Sequence, residues 1–378
     1  MNYHVPSQTS RVIDFLRFPL IVGIVAIHAW SATAFPADYT ANLIIQFFRS
    51  EICRIFVPLF FAISGYLFFV RYDGGTSDFY KRQWRRRLFT LLVPYLLWNL
   101  IAWGFEALKM VPPFDALFPN VRPIPFNPES IWRVFWGYST EISRTYFYEP
   151  SYVPLDFPLW FIRDLMVIVL FTPLIALCLK KRRGIISLAI LMVLFAGGLW
   201  PSFFQVQSTG VVFFCLGAYF SINRKDPLAF TSRFGGKKLL LPGILWLCLA
   251  LTDLFFAPSY IADRCHGLEI ILGTPLVAAV VSEIVSRGKS IPSLLANTSF
   301  IVFAYHGLIC IQVIKILEGI IHPSATISII ALYFLTILSL TAGGVILYYL
   351  LKACPPALRL LTGDRVISGK SCQSAPTS

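Results

Sequence analysis

Apolar residues along this chain come in runs of about twenty, separated by short polar and basic stretches. The period-2 alternation of a half-buried strand is missing. A run of that length crosses the hydrocarbon core of a bilayer as an α-helix. Ten spans follow, at 12–34, 44–70, 88–110, 158–180, 185–204, 206–222, 239–258, 267–286, 299–317 and 326–352. The pattern predicts an all-α, polytopic transmembrane helix bundle of about ten spans.

Charge then orients the spans. Basic residues follow every even-numbered one: Lys81 to Arg87, Lys180 to Arg183, Arg224 to Lys238, Arg287 with Lys289, and Lys352 with Arg359. Most connections on the other side are short and poor in charge, so the positive-inside rule places both termini in the cytoplasm. The first span carries Asp14 and Arg17 and no small-residue cleavage site, and it reads as an uncleaved span. Residues 1–352 form one membrane-embedded domain with a long external loop at 111–157, and 353–378 a short cytoplasmic tail, Ser-rich after Ile367. Within the loop, Asn127-Pro128 before Ile131-Trp-Arg-Val-Phe-Trp136 predicts a capped amphipathic helix. That helix has two readings, an aromatic element lying on the bilayer or a platform for a sugar ring.

Composition supports a membrane protein: 57% hydrophobic, 13% charged, mean hydropathy +0.70. The net charge of +13 belongs to the basic clusters between spans, which makes topology a better explanation than nucleic acid. The eight cysteines (53, 178, 215, 248, 265, 310, 354 and 372) lack CxxC spacing and mostly lie in apolar segments. They predict no disulfide framework and no metal site.

Ionisable residues inside the spans are the candidate chemistry, because such groups are costly in hydrocarbon and tend to line cavities. Arg17 and His28 stand about three helical turns apart on one face of the first span, with Asp14 one turn from Arg17. Counting the rise per residue puts His28 about 22 Å and Arg54 about 24 Å from the cytoplasmic end, with Arg163 and Asp164 level with them. Asp14, Arg17, Ser64 and His306 fall in the inner half. This describes a polar shaft whose inner mouth is a basic loop, Lys81-Arg82-Gln-Trp-Arg85-Arg86-Arg87. Such a shaft suits a long ligand with phosphates at one end, such as an acyl-coenzyme A. Each member also has a plainer reading. The basic run is a topology signal in any case, His28 can serve as an interhelical hydrogen-bonding group, and Asp14–Arg17 and Glu51–Arg54 can be buried pairs. Ser64-Gly65 can be a close helix contact, and His306 a packing residue. His4, His266 and His322 fall in tail or loops.

These segments together resemble the acyltransferase-3 family of integral-membrane O-acyltransferases. Asp14-Phe-Leu-Arg17 with His28 resembles its arginine–histidine signature, and Pro58-Leu-Phe-Phe-Ala-Ile-Ser-Gly-Tyr its serine-glycine-tyrosine block. The basic run with Pro94-Tyr95 is similar to its basic element. Leu159-Trp160-Phe-Ile-Arg163-Asp164 and Ser299-Phe-Ile-Val-Phe-Ala-Tyr-His306 resemble later blocks. The resemblance implies transfer of an acyl group, usually acetyl, from acetyl-CoA or another acyl-CoA to a hydroxyl of a sugar or a surface or lipid-linked glycan. It also implies a multi-pass protein of a bacterial-type cytoplasmic membrane.

On that basis His28 is the general base, with Arg17 the other half of the signature and Arg54 or Arg163 the cation for the developing oxyanion. Arg82, Arg85 and Arg86, with Ser64, Trp160 and His306, are expected to surround the donor. No metal is expected. The competing readings are a transporter or flippase for a glycan precursor or small anion, and a membrane scaffold for glycan assembly.

Overall fold

The computed structural model describes residues 5–31, 35–117, 124, 127–137, 139–142, 150–200, 206–231 and 236–364. Its helices are α1 (Ser7–His28), α2 (Tyr39–Phe69), α3 (Ser77–Leu108), a short α4 (Pro128–Phe135) and the bent pair α5 (Phe157–Leu170) and α6 (Thr172–Cys178). They continue as α7 (Lys181–Gly197), α8 (Ser208–Ile222), α9 (Pro227–Thr231), α10 (Leu240–Phe256), α11 (Tyr260–Ser286), α12 (Ser293–Ile321), α13 (Thr326–Lys352) and α14 (Pro355–Thr362). A small antiparallel hairpin, β1 (Ser139–Ile142) and β2 (Pro150–Val153), pairs Thr140 with Tyr152.

A helix stands where each span is expected, but length and composition qualify fewer of them to cross a membrane. Five do: α2, α3, α11, α12 and α13. Counting α5 and α6 as one broken span, bent by 66°, makes six. Helices α8 and α10 are apolar but shorter, and α1 carries charge along its first half. The molecule is therefore an all-α, multi-pass helix bundle, in which five or six of the described helical segments are long and apolar enough to cross a membrane.

Proline shapes two of the long helices. Pro58 has no N–H to offer the Arg54 carbonyl one turn back, and its ring crowds that carbonyl. Just upstream, α2 widens into a π turn at Phe47–Ile52 and then tightens into a 3-10 turn at Cys53–Ile55. Pro94 stands in the same relation to a π turn at Leu88–Leu92 in α3. Such turns re-aim side chains and recur at functional sites. Here the first carries Arg49 and Glu51.

Helices α2 and α8 pack closest. A side chain at Gly65 would meet the Phe214 carbonyl oxygen at 2.0 Å, and one at Gly217 the Ala62 oxygen at 1.8 Å. Only glycine lets two helix backbones approach so nearly, which gives Ser64-Gly65 its packing reading. The core is a continuous apolar cluster in which Phe61, Phe68, Phe213, Phe214, Leu332 and Tyr333 are fully buried.

The basic run is not a loop. Thr76 caps α3 by accepting from the Phe79 N–H (3.2 Å), and the helix continues unbroken through Arg87 into the apolar span. The chain end is also partly ordered. Trp98 Nε1 donates to the Leu361 carbonyl of α14 (3.0 Å), holding that helix against α3. The Ser-rich tail lies outside the described residues, as does much of the external loop. The described part of that loop contains the expected short helix, with Asn127 Oδ1 accepting from the Ser130 N–H at 2.8 Å. Trp132 and Trp136 stack along it, 5.4 Å between ring centres.

Candidate functional site

His28 is the last residue of α1, and its ring meets residues from α2, α5 and α12. The ring of Phe157, first residue of α5, stands edge-on at 4.6 Å, and the ring of His306 lies 5.7 Å away. Cys310 Sγ donates to the His28 carbonyl at 3.2 Å, fixing the end of α1 to α12. Arg49 and Arg54, presented by the π and 3-10 turns of α2, lie within electrostatic reach of the imidazole. Arg49 also sits over the Trp30 ring at 4.7 Å, while Arg54 is exposed. His306 is fully buried, with Nδ1 3.3 Å from the Val302 carbonyl and Nε2 without a protein partner among the described residues.

The two histidines and two arginines thus converge from three helices, α1, α2 and α12. His306 stands level with His28, not in the inner half of the bundle. The difference arises because α12 begins at Ser293, six residues before the expected span, which lifts the fourteenth residue of the helix to that height.

Arg17 is elsewhere. It lies about 16 Å down α1, pairs with Asp14 at 3.5 Å, and both side chains are about half exposed. The pair is not buried, and the charged stripe does not continue as a closed shaft. Arg163 is buried and fully engaged. Its Nε and Nη2 donate to Asp164 Oδ1 (3.0 and 2.8 Å), and its Nη1 to the Trp136 and Tyr152 carbonyls (2.8 and 2.6 Å). Asp164 Oδ2 accepts from the Gln207 N–H at 2.9 Å. Arg163 therefore clamps the short helix and the hairpin onto α5. Trp160 is buried at 6.2 Å from the Phe61 ring, inside an aromatic cluster with Phe161. Ser64 sits half-buried beside the Gly65 helix contact.

At the start of α3 the helical repeat brings Lys81, Arg82, Arg85 and Arg86 to one cavity of ≈ 650 Å³. Phe89, Thr90 and, from the chain end, Asp364 complete its walls. An aromatic ring among several cations is a setting for a phosphorylated nucleotide.

Sequence reasoning missed Arg49, Phe157 and His266. An arginine within an apolar run is visible in the sequence, and Arg49-x-Glu51-x-x-Arg54 could have been read as one charged turn. His266 is not in a loop, because α11 begins at Tyr260, seven residues before the expected span.

The acyltransferase domain model matches residues 11–349. The chain belongs to the acyltransferase-3 family. A curated relative, the succinoglycan biosynthesis protein ExoH of Rhizobium meliloti (strain 1021), is 30% identical over 192 residues. That alignment covers 49% of this chain and 47% of the relative, so the chain spans about half the length of the curated relative it matches. No solved structure matches. The family and the apolar helices make the protein a multi-pass membrane member of the acyltransferase-3 family.

Proposed function

We propose that this acyltransferase moves an acyl group, acetyl in the simplest case, from an acyl-CoA to a hydroxyl of a polysaccharide or its lipid-linked precursor. The observation that carries the reading is His28. The signature histidine of the matched family closes α1 among Arg49, Arg54 and a second histidine.

His28 accepts the proton of the acceptor hydroxyl as that oxygen attacks the thioester carbonyl. Arg54, exposed and within electrostatic reach of the ring, stabilises the negative charge that develops on the carbonyl oxygen. The new C–O bond then forms fully, the C–S bond breaks, and the leaving thiolate takes the proton back from the imidazolium. His306, with its unpartnered Nε2, supports the turnover of that proton. The cavity of Lys81, Arg82, Arg85 and Arg86 takes the phosphates of the donor. On this reading the cavity and both termini face the cytoplasm across a bacterial-type inner membrane, an orientation that the basic exits of the helices support.

The acceptor class rests on the relative, whose name places it in succinoglycan biosynthesis. Mass spectrometry of surface glycans and lipid-linked precursors tests it, from cells carrying the wild-type gene, no gene, or His28→Ala. The expected result is one species heavier by an acyl group in the wild type alone. Identical glycan masses in all three would remove the proposal.

A further inference from the structure

A second group of ionisable side chains is gathered by the fold and left unused by the acyl-transfer chemistry. Glu51 comes from the π turn of α2, His266 and Glu269 from the outer turns of α11, and Asp253 from the end of α10. One ligand atom each from Glu51, His266 and Glu269 lie within 4.8 Å of one another. Glu51 and Glu269 are 0% exposed and His266 6%. His266 Nδ1 is 2.8 Å from Asp253 Oδ2 and 3.6 Å from Glu269 Oε1. Among the described residues, no N–H or hydroxyl group donates to either oxygen of Glu269.

A buried carboxylate without a donor is costly unless a positive charge compensates it. Placing a second carboxylate beside it deepens that cost. One imidazole nitrogen and two carboxylates converging on a point are a donor set for a divalent first-row metal. A further carboxylate on the histidine is the usual orienting partner in such sites.

We propose that Glu51, His266 and Glu269 bind one divalent metal ion of the zinc or manganese class, with Asp253 holding the imidazole in place. The ion would tie the π turn of α2 to α11. That turn carries Arg49 and leads directly to Arg54, so the metal would set the two cations beside His28. The role is a positioning one, acting on His28 through these arginines.

The test is metal content, which reads independently of whether acyl transfer occurs. The full chain is purified in detergent with its affinity tag removed and without chelator. About one zinc or manganese per chain is expected; a chelator should remove it and lower the melting temperature, and adding the metal back should restore both. Glu269→Gln, equal in shape but neutral, should lose at least about tenfold of the affinity and melt alike with and without chelator. Asp253→Asn should weaken binding by about 10- to 100-fold. Wild-type protein below about a tenth of an equivalent, both as purified and after dialysis against either metal, would overturn the site. So would a Glu269→Gln variant that binds the metal as tightly as the wild type, which would place the ion elsewhere in the chain. If Glu269→Gln does not fold, removal and return of metal on the wild type decides the matter.

Discussion

Arg163 illustrates how little a residue's type says about its task until its donors are counted. It lies one residue from Asp164 in a span, a setting that suits a catalytic cation as well as a structural one. In the fold, one face of the guanidinium is taken by Asp164, and Nη1 is shared by two carbonyls of the external segment. Truncating one partner of a buried ion pair typically costs about 3–5 kcal/mol, because the other charge remains behind. Arg163→Met should therefore lower thermal stability by an amount of that order and expose residues 128–137 and 150–153 to protease. A variant that melts like the wild type but transfers no acyl group would instead return Arg163 to the chemistry. Arg17 makes the opposite point. Its signature spacing to His28 is evident in the sequence, yet it lies on an exposed turn about 16 Å away. The spacing that the sequence offers as a signature therefore does not bring Arg17 to the His28 ring.

Among the elements, α3 departs furthest from expectation. A run of five cations within seven residues, Lys81 to Arg87, reads as a loop when only its charge is weighed. Thr76, capping with Asp78 in the first turn and arginines in the last, instead starts a helix whose charges suit its dipole. As a helix, it turns Lys81, Arg82, Arg85 and Arg86 to one side, which a loop would not do. Charge-assisted hydrogen bonds to phosphate contribute about 1.5–3 kcal/mol each. Arg85→Ala should raise KM for acyl-CoA by about tenfold or more and leave kcat close to wild type, measured in proteoliposomes over a range of donor concentrations. Equal KM values in variant and wild type would place the donor elsewhere.

At the scale of the whole molecule, the apolar runs located every long helix, and local chemistry located the Asn127 cap and the Gly65 contact. These depend on neighbours in sequence. What depends on tertiary contact was illegible. His28 and His306 are 278 positions apart and meet only because α1 ends against α12 (28 to 306). His266 meets Glu51 for a similar reason, and an early start of α11 hid it from a count of span boundaries.

The most direct test of the account is transfer by the purified full chain in proteoliposomes, from radiolabelled acyl-CoA to a glycan acceptor, comparing wild type with His28→Gln. Donor binding is measured on the same samples. The account predicts that the variant binds acyl-CoA as the wild type does but transfers at least about 100-fold more slowly, the share of rate a general base usually supplies. Equal transfer rates at equal donor occupancy would contradict it.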